Sequence, residues 1–215
     1  MTQETNLNGA TRGRLRFLVS VAAAVLTLSG ATFAWAQQPQ GMRIRGTIEK
    51  LDGNVLSVKS RDGADLQITL TDDARVIDVV KASLADIKEG FFVGSAAMPQ
   101  AEGSQKALEV HIFPEAMRGT GEGHRPYTVP NSTMTNGTVG ADVASVDGQT
   151  LTLKYKDGEK KIIVGPGVPI VRYEIGEKKD LKPGAAFTIL SATKKPDGSL
   201  ETARVNVGRD GTVPE

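Results

Sequence analysis

The side chains best suited to chemistry lie near the middle of the chain, around its only two histidines. His111 is followed by Glu115 and Met117, and His124 comes shortly after them. Imidazole, carboxylate and thioether groups together suit a late divalent metal ion or Cu(I). These four residues are therefore the candidate ligands of a metal site, and the possible cofactor is a divalent metal or copper.

The same residues fall in or beside a segment rich in proline and glycine, residues 114–135. A loop of this length inside a compact protein is either functional or a linker, so the segment is also interpreted as an interdomain connection that packs between two domains. In the strand that precedes it, Glu109 and His111 alternate with apolar residues and are expected to face solvent, while the inward positions are Leu108, Val110 and Ile112. The metal site and the plain connection both remain open.

Four lysines form a second candidate site, for a binding partner. Lys154, Lys156, Lys160 and Lys161 lie on either side of an Asp-Gly turn and could meet an anionic glycan or lipid headgroups. The acidic residues Asp157 and Glu159 are interleaved with them, so a solvated hairpin is the alternative interpretation.

Composition excludes several classes of function. The chain has no cysteine, so it holds no disulfide, no thiolate metal site and no cysteine nucleophile. It carries no G-x-S-x-G or H-E-x-x-H motif, and we interpret it as a non-enzymatic protein. The formal net charge is +1, and without residues 1–36 it would be −1. Such a balance does not favour nucleic-acid binding, which depends on neutralising phosphates.

The chain is an internal duplication. The segment Ile48 to Gly63 (IEKLDGNVLSVKSRDG) resembles a segment that begins 95 residues later, Val143 to Gly158 (VASVDGQTLTLKYKDG). Two further pairs of segments agree at nearly the same offset: Leu84 to Gly94 with Lys178 to Thr188, and Gly103 to Phe113 with Gly198 to Gly208. Each copy is long enough for a small domain.

Each copy is predicted to form β-structure. Asp-Gly turns flank strands that alternate apolar and polar residues, as in Asp65 to Leu70. A single helical turn follows, closed by Gly90 in the first copy and by Gly184 in the second, and then two more strands. Three strands, a short helix and two strands are the order of an OB-type small barrel.

The predicted fold class is therefore all-β, with two tandem OB-like barrels of five to six strands, each with one short helix. Residues 43–113 and 136–208 are expected to be the two barrels, joined by residues 114–135, and residues 209–215 a tail. The alternative is one sandwich built from both copies.

The pattern from Gly46 to Val93, G-x-I, D-G-x-x-L-x-V, D-G and L-x-D-I-K-x-G-x-x-V, resembles an uncharacterised family of exported bacterial domains that occur singly or in tandem. The resemblance implies a fold and a compartment but no chemistry. The spacing is also similar to that of periplasmic copper chaperones of metal-efflux systems. Their Trp-Pro-x-Met-x-Met run is missing here, so the resemblance implies no copper site.

Residues 1–36 are interpreted as a general secretory signal peptide. Arg12, Arg14 and Arg16 precede the apolar run Phe17 to Leu28, and Ala34-Trp35-Ala36 is an A-x-A cleavage site. We expect a periplasmic or secreted protein, in contact with a membrane only if the signal is not cleaved. The leading hypothesis is an accessory or binding protein of the bacterial cell envelope, whose partner is another envelope protein, a glycan or a small ligand. The alternative is a periplasmic metal-binding protein associated with metal transport.

Overall fold

The computed structural model describes residues 41–140 and 150–214. The predicted signal peptide and its cleavage site lie outside the described residues, as does the start of the second copy's first matching segment, Val143 to Gly148. Within the described ranges, no helix is long and apolar enough to cross a membrane.

The described residues form twelve β-strands and three single turns of 3-10 helix. The strands are β1 (Met42–Asp52), β2 (Val55–Ser60), β3 (Asp65–Lys81), β4 (Phe92–Pro99), β5 (Gln105–Ile112), β6 (Gly123–Pro126), β7 (Thr133–Val139), β8 (Thr150–Tyr155), β9 (Gly158–Ile163), β10 (Ile170–Gly176), β11 (Ala186–Lys194) and β12 (Leu200–Gly208). The 3-10 turns are Leu84–Asp86, Glu115–Met117 and Lys178–Asp180. The predicted all-β fold is confirmed, and the short helix expected in each copy is a single 3-10 turn.

Five strands close the first barrel. Strand β1 pairs with β2 and β2 with β3, both antiparallel; β3 pairs with β12 in parallel, β12 with β11, and β11 returns to β1. Its interior holds apolar side chains from all five strands, including Ile48, Leu56, Ile68, Phe187 and Val205. Closing the sheet leaves no long unpaired edge.

A second ring of five strands repeats this arrangement. Strands β5, β4, β7, β8 and β9 pair in that order, and a short parallel pairing of β5 with β9 completes the ring. Its interior includes Val93, Val110, Val139, Leu153 and Ile162. Strand β10 joins the two rings, because it pairs antiparallel with β3 and parallel with β5.

These pairings correct the expected domain boundaries, because neither 43–113 nor 136–208 forms a barrel alone. The first barrel takes three strands from the first copy and two from the second, and the second barrel takes the complementary set. The chain leaves β3 of the first barrel after Lys81 and enters β4 of the second barrel at Phe92. The local sequence pattern of each strand fits the second barrel as well as it would fit the first. The two copies therefore exchange their last two strands.

A third apolar cluster lies outside both barrels and joins them. It is built from β3, β10, the first residue of β4 and the segment after β5. Its members are Ile77, Val79, Phe92, Phe113, Met117, Val171 and Tyr173. Residues 114–135, expected to be an interdomain connection that packs between two domains, supply Met117 to this cluster and add β6 to the edge of β7. The segment is thus an integral part of the fold.

The C-terminal residues, expected to be a tail, pack onto the first barrel. The Thr188 hydroxyl donates a hydrogen bond to the carbonyl of Pro214, and the Arg209 guanidinium lies between the carboxylates of Asp78 and Asp180. Burial, and then repulsion from Asp180, raise the pKa of Asp78, while Arg209 opposes this shift. Because Arg209 separates two carboxylates that would otherwise repel, the stability contributed by this contact depends on pH.

We predict that Arg209→Met lowers the free energy of unfolding at neutral pH, and only modestly, because Arg209 is 38% exposed and partly screened by water. The raised pKa of Asp78 costs stability progressively above the unfolded-state pKa of this carboxyl and fully above the raised value, so the loss in the variant should shrink as pH falls and Asp78 takes up its proton. Urea unfolding across pH 4 to 7 measures this. The control is Arg172→Met, which breaks the exposed ion pair with Glu174. A deficit of Arg209→Met that is the same at every pH would contradict the assignment.

Candidate functional site

The first predicted ligand, His111, is buried between the barrels and does not face solvent. Its ring stacks on Tyr173 with centroids 5.3 Å apart, meets Phe113 edge-on at 5.7 Å, and its Nδ1 lies 3.6 Å from the Glu109 carboxylate. A Cβ at Gly94 would lie 2.6 Å from the ring, so this glycine makes room for it. His111 is therefore part of the packing between the barrels.

The expected alternation in β5 is correct for Val110 and Ile112, which lie in the barrel interior, but the expected exposure of Glu109 and His111 and burial of Leu108 are wrong, for two reasons. Register shifts between Ala96 and Ala97 of β4, so Glu109 and Ala107 are their partners and Leu108 bulges outward, where it is 39% exposed. In addition, both faces of the rest of β5 are covered, one by the barrel interior and the other by the interbarrel cluster. Glu109 and His111 are buried on that second face.

Of the other three predicted ligands, Met117 belongs to the interbarrel cluster whose rings His111 contacts, whereas Glu115 and His124 lie elsewhere. Glu115 is exposed and forms an ion pair with Arg118 at 2.6 Å, and Met117 is buried among aromatic rings. The His124 Nδ1 lies 2.8 Å from the Thr135 hydroxyl. Partial burial, and then the positive charge of Lys160, lower the pKa of His124.

Strand pairing separates the two histidines. His111 pairs with Gly94 and Gly94 with Asn136, whereas His124 pairs with Thr135, the neighbour of Asn136. Because successive side chains of a strand point to opposite faces, the two imidazoles lie on opposite sides of the sheet. In the part of the chain that the structure describes, no group of three or more His, Asp or Glu residues could hold a metal ion. The structure does not bring the four residues together.

The four lysines also divide between faces. Lys154 pairs with Glu159 and Lys161 with Thr152 on the outer face of the β8–β9 hairpin, whereas Lys160 pairs with the buried Leu153. The backbone N–H of Lys156 donates to the Glu122 carboxylate. The lysines therefore do not form one continuous basic patch.

A cavity at the first barrel is a better candidate. It has a volume of about 550 Å³ and lies beside the start of β1, the turn after β2 and the loop 127–132. Three arginines line it, Arg43, Arg45 and Arg61. Its apolar lining includes Met42, Leu66 and Val129, and Met42 and Val129 are 41% and 43% exposed. Ligand cavities typically combine such an apolar lining with a few convergent polar groups.

The wall of the cavity opposite β1 is held in place by Arg43. Its guanidinium donates to the Thr128 hydroxyl at 2.8 Å and to the Tyr127 hydroxyl at 3.3 Å, and it lies over the Tyr127 ring. The turn closes on itself, since the Ser132 hydroxyl and backbone N–H both donate to the Val129 carbonyl. The last part of the proline-rich segment thus forms a shaped wall.

The charge of the cavity is positive. Asp62 is its only lining carboxylate among the described residues, and a hydrogen bond from Ser60 lowers the pKa of Asp62, so it stays ionised at neutral pH. Three arginines and one carboxylate among its described lining residues make this partly apolar surface basic. Such a surface attracts an anionic group that carries an apolar body.

Sequence reasoning missed this site, although one signal was present. Arg43 and Arg45 alternate with Ile44, which points into the barrel, so both guanidinium groups leave β1 on the same outer face. The β1–β2 hairpin brings Arg61 beside Arg45, whereas the closeness of Val129 depends on a tertiary contact across the chain. Comparison of the chain with protein-family models, with curated protein sequences and with solved structures finds no match.

Proposed function

We propose that this protein is an exported, non-enzymatic accessory protein of the bacterial cell envelope that binds an anionic group of a partner or small ligand in the arginine-lined cavity. The observation that carries the proposal is the convergence of Arg43, Arg45 and Arg61 on one cavity with apolar walls. Guanidinium groups bind carboxylates through paired hydrogen bonds, and partial exclusion of water strengthens them.

The polar residues of the cavity favour binding over catalysis. The Ser60 hydroxyl accepts from the Ala64 N–H and donates to the ionised, exposed Asp62, so both groups are engaged within their own turn. No histidine lines the cavity within the described residues, and its one carboxylate there, Asp62, supports the turn. The cell-envelope assignment rests on the secretory signal predicted for residues 1–36. The metal-binding alternative loses its support because its four residues lie apart.

We predict that suberate, a dicarboxylate with an apolar chain, binds in millimolar concentration and shifts the Nε–H signals of Arg45 and Arg61 in NMR spectra. Arg45→Gln should weaken binding by about tenfold, which corresponds to the loss of one charge-assisted hydrogen-bonded pair of roughly 1.5 kcal/mol. Binding should also weaken as salt concentration rises.

The matched control is Arg172→Gln, which removes an exposed arginine outside the cavity. It should bind suberate like the unchanged protein. Equal affinities of Arg45→Gln and the unchanged protein would count against the cavity as the binding site.

A further inference from the structure

The two barrels can be superposed strand by strand, and this relates β1 to β7. Thr47 of β1 pairs with Lys59 of β2, and Thr138 of β7 pairs with Lys154 of β8. Lys59 and Lys154 are equivalent in the repeat. The carbonyl of each of these lysines also packs against a glycine on the neighbouring strand, Gly46 in β1 and Gly137 in β7, where no side chain would fit. The stretch Gly-Thr-Ile of β1 is therefore equivalent to Gly-Thr-Val of β7.

The start of β7 has a strand on each side. Residues 133–136 pair with β4 on one side. On the other side, before the pairing with β8 begins at Thr138, they pair antiparallel with the four residues of β6. A short extended segment of the chain thus completes the edge that β8 leaves open.

The equivalent edge of β1 has no such strand among the described residues. Residues 42–45 pair with β11 on one side. On the other side the ladder with β2 begins only at Gly46, beyond which the Arg61 N–H still reaches the Arg45 carbonyl. Met42, Arg43 and Arg45, at this open edge, line the cavity described above. The cavity occupies the place on the first barrel that β6 fills on the second.

We propose that the occupant of this edge is an extended acidic peptide segment of a partner protein, which adds as a strand beside residues 42–45. This inference rests on the proposed function and specifies its ligand. Main-chain hydrogen bonds to an open strand edge supply affinity, and side-chain contacts supply specificity. The segment β6 is the internal example of the geometry, and the arginines determine the charge of the incoming peptide.

The expected contacts follow from strand geometry. The Arg45 carbonyl accepts from the Arg61 N–H on the β2 side, and alternate residues of a strand turn their backbone groups to the same side, so the N–H and C=O of Arg43 point toward the open edge. Every second side chain of the peptide would lie on the outer face, beside Arg43 and Arg45, where carboxylates form favourable cross-strand pairs. The apolar side chains Leu66 and Val129 are available for the residues between.

The test uses the peptide acetyl-Val-Glu-Val-Glu-Val-Glu-amide and the same peptide methylated at every backbone nitrogen. Methylation keeps the carboxylates and removes the amide donors. We expect the unmodified peptide to bind the full chain, to protect the Arg43 amide from hydrogen exchange, and to bind at least tenfold more tightly than the methylated peptide, a difference of about 1.4 kcal/mol or more.

Two variants of Arg43 distinguish the contribution of its guanidinium charge from that of its backbone N–H. Arg43→Ala and Arg43→Pro both remove the guanidinium, but only proline removes the N–H, which is tolerated at an open strand edge. Arg43→Pro should bind the unmodified peptide at least tenfold more weakly than Arg43→Ala, while both bind suberate equally, and circular dichroism should show that both are folded.

The outcomes distinguish this inference from the proposed function. Equal binding of the two peptides, together with continued binding of suberate, would overturn strand addition and leave the anion cavity standing. Failure of suberate and of both peptides to bind would overturn both. If Arg43→Pro binds the unmodified peptide as tightly as Arg43→Ala does, strand addition at this edge is also contradicted.

Discussion

Cleavage of the chain between its two repeats should leave one folded particle instead of two separate domains. A recognition site for a specific protease can be inserted in the exposed turn at Gly119 to Gly121, between the last strand of the first copy and β7. After cleavage, the protein should elute from gel filtration as it did before, and the two halves should separate only in denaturant. The physical reason is that each barrel contains strands from both halves.

Separation of the halves would open both barrels. It would expose the interior residues of each, including Phe187 in the first and Leu153 in the second, so its cost approaches the whole free energy of folding, about 5–15 kcal/mol. A half expressed alone lacks the strands that the other half supplies to its barrels. We expect it to be unfolded or to form a dimer that exchanges these strands. Recovery of two monomeric β-rich halves after cleavage would show that each repeat closes its own barrel.

Strand positions were predictable from the sequence, and strand partners were not. The alternation in Asp65 to Leu70 and the Asp-Gly turns reflect local geometry, which is identical whether the last two strands of a copy return to their own barrel or cross to the other. The direction taken after Lys81 is decided by tertiary packing around Phe92 and Tyr173, which the repeat pattern does not encode. The duplication was therefore predictable from the sequence, but the exchange of strands between the two copies was not.

The sequence match between the two copies also concealed a local change in the offset between their strands. The match of Ile48 with Val143 places the first strands 95 residues apart. The equivalence of β1 and β7 in the two barrels instead relates Thr47 to Thr138, an offset of 91. Four additional residues of the second copy thus lie between β7 and β8. The sequence match follows the Asp-Gly turn motif, whereas the strand equivalence follows Gly46 and Gly137, so the strand edges around Arg43 and Arg45 could not be compared from sequence.

The candidate site was missed for a related reason. His111 and His124 attracted attention as rare residue types, but a bulge at Leu108 and a second packing surface on β5 bury His111 against Tyr173. The three arginines are common residues, and Arg61 is separated from Arg43 in sequence by two strands. The β1–β2 hairpin places Arg61 beside Arg45, but only the loop around Val129 completes the cavity.

Truncation of one core residue should identify which strands share a barrel. Phe187 belongs to the second repeat but is buried in the first barrel, where it pairs with Gly46 of β1 and Val207 of β12. Phe187→Ala should lower the free energy of unfolding by about 3–5 kcal/mol, because it removes a large buried side chain and leaves a cavity. Amide hydrogen exchange should accelerate mainly in β1 and β2, which are in the first repeat.

The matched change in the other barrel is Leu153→Ala. Leu153 also belongs to the second repeat and is fully buried, but its neighbours include Val93 of β4 and Val110 of β5. Its truncation should cost about 2–5 kcal/mol and should accelerate exchange in β4 and β5 more than in β11 and β12. The two variants lie in the same repeat, so a fold in which each repeat closes on itself would give the same exchange pattern for both. Faster exchange in β8 and β9 with Phe187→Ala, while β1 and β2 stay protected, would contradict the exchanged arrangement, because those strands share no barrel interior with Phe187.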